Sequence, residues 1–411
     1  MSEPQRHIPT AFETAVNDAF KSRSKTNETQ LAAFDRYEKL RLPNRKVEGW
    51  KWSDFNMALR KFEPSRAEPS AKTIAPSAFA GVDPLEFRII DGRIELPDED
   101  MPEGLRFGVM DTVATIPELE NHAIAALNVS LSRKALGLEV REGVTLERPI
   151  LVRHINTGAG FCFAQTMMRF SENARATLIE TYEGEGAGFY SHLFHTVVRD
   201  GAAVKRFVLH DDAGDALTHS ICAVKMDEKA RFEQTAFSTG GRLARHETHL
   251  HFWSPSSSAV LNSASFLSGE RHADFTSDVR HLAESCQARQ LHKGVASDSG
   301  RNVFQGKFFV QRNAQKTDAK MTANALLLSG QAEANHKPEL EIYADDVECA
   351  HGSTVGALDD DALFYLRQRG LDEAAAKALL VEAFIGEIVE RIEEDGIRDA
   401  FALSVKDWLD E

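Results

Sequence analysis

Apolar residues along this chain change period twice. From Ile8 to Leu42 they recur at helical spacing, with Phe12, Val16 and Phe20 in one run and Leu31, Phe34, Tyr37 and Leu40 in a second. The polar break Ser24 to Asn27 divides the runs, so the pattern predicts a helical hairpin that ends at Pro43. The aromatic cluster Trp50-Lys51-Trp52-Ser53-Asp54-Phe55 is expected to pack onto that hairpin. The Pro- and Ala-rich stretch Glu63 to Pro76 reads as a linker, and helical spacing returns at Glu118 to Ala135.

Between Arg148 and Leu358 the pattern becomes short apolar-polar alternation broken by Gly, Asn, Asp and Ser, which predicts strands. Ala174, Ala202 and Ala230 are 28 residues apart, and further steps reach Ser258, Cys286, Ala314 and Ile342. The same step links Ala176, Val204, Phe232, Val260 and Ala288, then lands on Lys316. A second column joins Phe194, Cys222 and Leu250, with Thr196, Val224 and Phe252 beside it. A repeat of this length marks units that bury their apolar faces on one another. The expected fold is a β-helix with two strands per coil and small residues inside. After Leu358 helical spacing resumes, with one helix from Asp359 to Arg369 stopped by Gly370 and another from Asp372 to about Glu394. Leu379, Leu380, Ala383, Phe384, Glu387, Ile388 and Ile392 form its mostly apolar stripe, suited equally to the β core or to a partner. The domains expected are 1–147 (helical and linker), 148–358 (β-helix) and 359–411 (helical).

Composition removes several function classes. The 411 residues are 42% hydrophobic and 27% charged, and 63 acidic against 48 basic residues give a net charge of −15. That balance repels nucleic acid and anionic membrane surfaces. No apolar run approaches the length of a membrane span, and the start lacks the apolar core of a signal peptide, so a cytoplasmic location is expected. Cys162, Cys222, Cys286 and Cys349 are scattered without a C-x-x-C pair, and the first three read as buried thiols.

Three stretches carry candidate chemistry. His246-Glu247-Thr248-His249-Leu250-His251 has histidines three apart where a zincin helix needs four, leaving a cupin-like H-x-H. On a strand, Glu247, His249 and His251 share a face opposite the buried Leu250 and Phe252. They are therefore expected as imidazoles on an outer wall, with a histidine-dependent metalloenzyme as the alternative. Gly300 to Phe308 imitates a phosphate loop but has one residue too many between its glycines, and Phe308 stands where a hydroxyl must hold magnesium. Cys349 and His351, two apart, share a strand face and suit iron, zinc, copper or an iron–sulfur cluster. Two donors are too few for a site unless something else completes it. Asp345, Asp346 and Glu348 add carboxylates nearby, with Glu348 facing away from Cys349.

The blocks Q-L-H-K-G (from Gln290), V-F-Q-G-K (from Val303), A-Q-K-T-D-A (from Ala314), L-L-L-S (from Leu326), K-P-E-L-E-I-Y-A-D-D-V (from Lys337), C-A-H-G-S-T-V-G (from Cys349) and L-F-Y-L-R-Q-R-G (from Leu363) stand in order. This series closely resembles the SufB/SufD family of iron–sulfur cluster assembly proteins. Val47 to Asp54 and the spacing of Cys349 and His351 resemble its SufD branch, and no cysteine between Cys286 and Cys349 matches a SufB scaffold thiol. The resemblance implies a mainly β fold, a right-handed parallel β-helix core flanked by N-terminal and C-terminal α-helical domains. It implies a non-catalytic subunit that pairs with SufB through the core and binds the SufC ATPase through C-terminal helices. Leu363, Phe364, Tyr365, Arg367, Gly370, Phe384 and Ile388 would be the partner-facing residues. Cys349 and His351 would be metal or cluster ligands shared with SufB, handling iron or an iron–sulfur cluster transiently. A flavin has been associated with such complexes, yet no dinucleotide fingerprint is present here. A purely structural β-helix without metal is the remaining alternative.

Overall fold

The computed structural model describes residues 9–60, 62, 74–111, 116–158, 160–184 and 186–410. Strands β1 (Leu85–Ile90), β2 (Arg93–Glu95), β3 (Leu105–Met110), β4 (Ala135–Val140) and β5 (Ile150–Asn156) are followed by fourteen more. These are β6 (Phe161–Phe170), β7 (Arg175–Gly184), β8 (Phe189–Val198), β9 (Ala203–Asp211), β10 (Leu217–Met226), β11 (Arg231–Ser238) and β12 (Leu243–Phe252), then β13 (Ser258–Leu267), β14 (His272–His281), β15 (Gln287–Ala296), β16 (Arg301–Val310), β17 (Asp318–Leu327), β18 (Glu333–Ile342) and β19 (Glu348–Gly356). From β5 onward odd strands join one sheet and even strands another, each pairing in parallel with the strand two places on. The product is a parallel β-solenoid of about eight turns.

The solenoid begins before residue 148. β1 pairs in parallel with β5 and β4 with β6, so the first coil is built from a region expected to be helix and linker. Antiparallel strands close this end: β2 folds back on β1 through Asp91-Gly92, both at positive φ as a tight hairpin turn requires, and β3 lies antiparallel to β4. The linker expected at 63–76 lies largely outside the described residues.

The repeat is real, but its length drifts. The inward column runs Ala176, Val204, Phe232, Ala259, Ala288, Ala319 and Cys349, in steps of 28, 28, 27, 29, 31 and 30 residues. A fixed step of 28 therefore misplaces Val260 and Lys316, whose places Ala259 and Ala319 take. Cys222 likewise pairs with Thr248, and Leu250 with Val224. That two-residue slip keeps Leu250 and Phe252 on the buried face, because side-chain direction alternates with period two. Ala174, Ala202 and Ala230 occupy the corner before each odd strand. Gly201 sits in that corner at φ 67°, where a side chain would collide with Asn173 of the adjacent coil. Ile342 is on the outer end of β18 and does not continue this column.

Helices cover both walls. α1 (Ala11–Lys21) and α2 (Glu28–Leu40) start with reciprocal capping boxes, Thr10 with Glu13 and Asn27 with Gln30. α3 (Phe55–Arg60) and α4 (Ala123–Leu131) complete this layer on the even-strand sheet. α4 is buried on all sides, because α2 lies over it and β6 and β8 beneath. On the odd-strand sheet α6 (Glu373–Val389) and α7 (Asp395–Asp410) form a second layer, with α5 (Asp360–Gln368) lying against α6. α7 was not foreseen in the sequence. Val381, Ile385 and Ile388 of α6 and Phe401 of α7 pack on Ile179, Phe207, Phe237 and Phe266; of the expected α6 stripe Ile388 and Ile392 join this core and Phe384 packs at its edge, whereas Leu379, Ala383 and Glu387 are exposed.

Phe401 is fully buried and meets the rings of Phe79, Phe207 and Phe237 at 5.5, 6.2 and 4.5 Å. Phe401→Ala is expected to cost about 3–5 kcal/mol in urea unfolding. Limited proteolysis should cut first within α5 to α7 while the solenoid stays protected.

Candidate functional site

The uncapped end of the stack carries Cys349 and His351. β18 and β19 are the terminal strands of their sheets, so their outer backbone groups lack a further coil. Cys349 extends the inward column beside Ala319, half-buried, and His351 lies beside Met321, exposed. Both therefore point toward the solenoid interior at its open mouth, and Glu348 faces away from Cys349, as the strand alternation predicts. Burial pushes the Cys349 thiol up, against the opposing effect of the Ala319 backbone N–H, so binding a metal there must release a proton. Among the described residues the two His/Glu sets close enough to hold an ion lie elsewhere. Within this chain the pair remains two donors.

A column of polar side chains runs through the interior toward that mouth. Near the closed end Glu180 takes two hydrogen bonds from Arg206, at 2.9 and 3.0 Å, and Arg206 also donates to Gln234. Tyr182 and Thr166 hold the two nitrogens of His192 at 2.8 and 3.0 Å, and Ser220 bridges His210 and His246. Further along, His292 joins Ser263 (2.9 Å) to Asn302 (3.0 Å), and His336 reaches Ser353 of β19 at 2.9 Å. His351 occupies the register column of Arg206, Gln234 and Gln290. This polar column stands where the sequence pattern predicts small or apolar side chains. Its signal is present as His192, Ser220 and His246 at successive strand positions, visible only once the drifting register is known.

The histidine stretch is not an exposed wall. His246 points inward, while Glu247 and His251 are buried and His249 half-buried beneath the N-terminal layer. Glu247 Oε1 accepts from Arg245 Nε and interacts with His219 Nε2, both at 2.8 Å, and with His122 Nε2 at 3.1 Å; His249 lies 3.1 Å from Oε2. Burial favours the neutral acid, but Arg245 and His122 outweigh it and hold the carboxyl well below the usual range. His122, Glu247 and His249 are near enough for an ion. However, His122 Nδ1 accepts the Ala125 backbone N–H at 3.1 Å, so the neutral ring carries its proton on Nε2 and donates to Glu247. The second set, His154, Glu180 and His192, is filled electrostatically by Arg206. Neither donor set fits a metal in this arrangement.

Instead the outer cluster clasps the N-terminal layer to the wall. Arg245 lies 3.9 Å from the Trp50 ring centre, donates to Gly49 O at 2.9 Å and pairs with Asp274 at 2.6 Å, while Ser53 also donates to Asp274. The motif Val47 to Asp54 thus docks chiefly on the solenoid wall, though Trp50 also meets Phe55. The phosphate-loop imitation is equally structural, since Arg301–Val310 is strand between β14 and β18 and Lys307 pairs with Glu341.

Of the expected partner-facing residues, Phe364 and Tyr365 are 64% and 56% exposed on α5, Arg367 and Gly370 are exposed, and Leu363 is half-buried. Phe384 is half-buried under Lys293, and Ile388 is fully buried against the odd-strand sheet.

A family model described as the SUF system FeS cluster assembly, SufBD core domain, matches residues 153–384. The chain belongs to the SufB/SufD family. Iron–sulfur cluster assembly protein SufD of Escherichia coli (strain K12) is 30% identical over 87% of each chain. Protein ABCI7, chloroplastic, of Arabidopsis thaliana is 28% identical over 78% of this chain and 73% of its own. SufD of Bacillus subtilis (strain 168) is 22% identical over 68% and 65%. Within the family the likeness is to SufD, and the role is in iron–sulfur cluster assembly. Among the described residues no helix of this SufD-like chain is long and apolar enough to cross a membrane.

Two tests address the clasp and the interior. Arg245→Ala strands two buried carboxylates and should cost about 3–5 kcal/mol, read by urea unfolding, with earlier proteolysis of α1 to α3. Burial holds His272, His281 and His292 down at about 3, and His219 and His336 at about 4. The unfolded imidazoles protonate near 6.5 and the folded ones do not, so stability is full above that pH and falls as acid approaches 4. His281, buried between Phe252 and Phe308, has no protein partner for either nitrogen. His281→Leu should gain about 2 kcal/mol relative to the parent on going from pH 7 to pH 5, flattening the pH dependence of the urea midpoint.

Proposed function

We propose that this chain is a non-catalytic accessory subunit of a cytoplasmic SufB–SufC–SufD complex that assembles iron–sulfur clusters. The carrying observation is the asymmetry of the stack: short antiparallel strands of three and six residues end its first coil, whereas its last ends in full-length strands of ten and nine residues with an inward-facing Cys349 and His351 at the surface. A SufB-like β-helix laid against β18 and β19 extends the ladders and covers Val355, Ile342 and Tyr343, which are exposed here. Cys349 and His351 then meet donors from that partner, and iron or a nascent cluster, as cargo, is shared across the joint. Thiolate and imidazole together suit iron in this role.

Docking of a SufC-like ATPase falls to α5, where Leu363, Phe364, Tyr365, Arg367 and Gly370 lie in or beside a projecting helix. Phe384 and Ile388 support it from beneath by anchoring α6. ATP hydrolysis belongs to that partner, consistent with the strand in place of a phosphate loop.

The test is to co-express the chain with SufB-like and SufC-like subunits, purify through a tag on this chain, and combine native mass spectrometry with iron and sulfide analysis. A heteromeric complex is expected, and Cys349→Ala/His351→Ala should preserve it while lowering cluster yield at least about tenfold. An intact double-variant complex with unchanged cluster yield removes the ligand role and leaves a purely structural adaptor. A lone chain in the purification overturns the complex itself.

A further inference from the structure

The closed end of the solenoid carries a cavity of about 690 Å³ whose charge opposes that of the whole chain. Three connecting segments, the α1–α2 loop, the β1–β2 hairpin and the link from α4 to β4, meet around it over the start of β6 and beside β3. Arg23, Lys25, Arg93, Arg133 and Lys134 line it, with Asp91 as the one carboxylate lining it among the described residues, in a chain whose net charge is −15. Both Asp91 oxygens are engaged by Thr157, through the backbone N–H at 3.0 Å and the hydroxyl at 2.6 Å. Thr157 thus fixes the carboxylate in place, and its single negative charge offsets only one of the five cations.

The cations divide by commitment. Arg23 donates to the carbonyls of Ser130, Leu131 and Ser132 at 2.8–3.1 Å and closes the end of α4. Arg93 pairs with Glu95 at 2.8 Å and Lys134 with Asp111 at 3.1 Å. Lys25 and Arg133 have no ion pair among the described residues, and both are exposed. Arg23 and Arg133 line the same cavity, and burial together with the Arg133 charge lowers the Arg23 pKa; Arg23 has no ion pair among the described residues. Like charges held together on an otherwise acidic molecule are relieved by an anion with several oxygens. Phe161, Phe163 and Leu131 supply an apolar floor, and the volume is that of a small-molecule site.

We infer that this cavity binds a small organic polyanion, its clustered phosphate or carboxylate oxygens held by Lys25 and Arg133 and its organic part resting on Phe161 and Phe163. The site lies at the end of the stack opposite Cys349 and His351 and does not depend on their role.

Inorganic pyrophosphate titrated calorimetrically into the full chain at about 0.15 M NaCl, where distant exposed charges are screened, is the first probe. Saturable one-to-one binding is expected, weakened at least about tenfold in Lys25→Glu/Arg133→Glu. Both positions are exposed, so circular dichroism and the ligand-free melting temperature should be unchanged; if they shift, Lys25→Gln/Arg133→Gln replaces the pair with the same expected loss. ATP and citrate separate the sources, phosphate chemistry giving tighter ATP and carboxylate chemistry tighter citrate. No saturable binding of any of the three, or equal binding by the folded double variant, overturns the site. Binding of a single-stranded oligonucleotide more tightly than all three overturns its assignment to small molecules.

Discussion

A coil of this solenoid cannot bury its inner face alone, and that constraint organises the molecule. Each strand satisfies its backbone by pairing with the coils on either side, and its inward side chains lose water only when a neighbouring coil lies over them. Both ends of the stack are consequently problems to be solved. At the start, the Asp91-Gly92 hairpin and the antiparallel β3 turn the chain back on itself. At the finish nothing similar exists among the described residues, and β18 and β19 present open edges with an unfinished interior.

The two walls obey the same logic. Strands buried on both faces need covers, and the helices on either side provide them: α1 to α4 over the even-strand sheet and α6 to α7 over the odd-strand sheet. The covers are fastened differently. The C-terminal layer is held mainly by aromatic and aliphatic packing around Phe401, whereas the N-terminal layer also relies on the buried charges of Arg245, Glu247 and Asp274 beneath Trp50. Charges so placed are tolerated because each carboxylate oxygen has a donor. Arg206 and Glu180 satisfy the same rule inside the solenoid, where an unpaired charge would be far more costly than a hydrogen-bonded pair.

Those two arginine centres also explain why metal chemistry is harder to read from composition than from geometry. The outer His122–Glu247–His249 set and the interior His154–Glu180–His192 set both contain suitable ligand types. In each, a guanidinium already occupies the electrostatic position a cation would take, and the imidazole protons are directed at carboxylate or hydroxyl oxygens. Cys349 and His351 differ because no such cation is paired with them among the described residues and because they stand at a surface that another strand edge can meet. Their significance in cluster assembly therefore depends on what lies across that edge.

The alternation of apolar residues, the small corner residues and the capping signals were enough to establish a stacked β core between helical segments, since these depend on side-chain direction and local backbone preference. The Cys349–His351 pair and the blocks after Gln290 were equally legible as local patterns. The register drift from 27 to 31 residues was not, because turn length can change without disturbing the inward-outward alternation of any strand. Tertiary structure alone decided that β1 and β4 enter the solenoid, that His246 faces inward while Glu247 fastens a distant tryptophan motif, and that Ile388 belongs to the core. Each of these turns on which remote segment covers a given face, a free-energy choice made by long-range burial that no local period records.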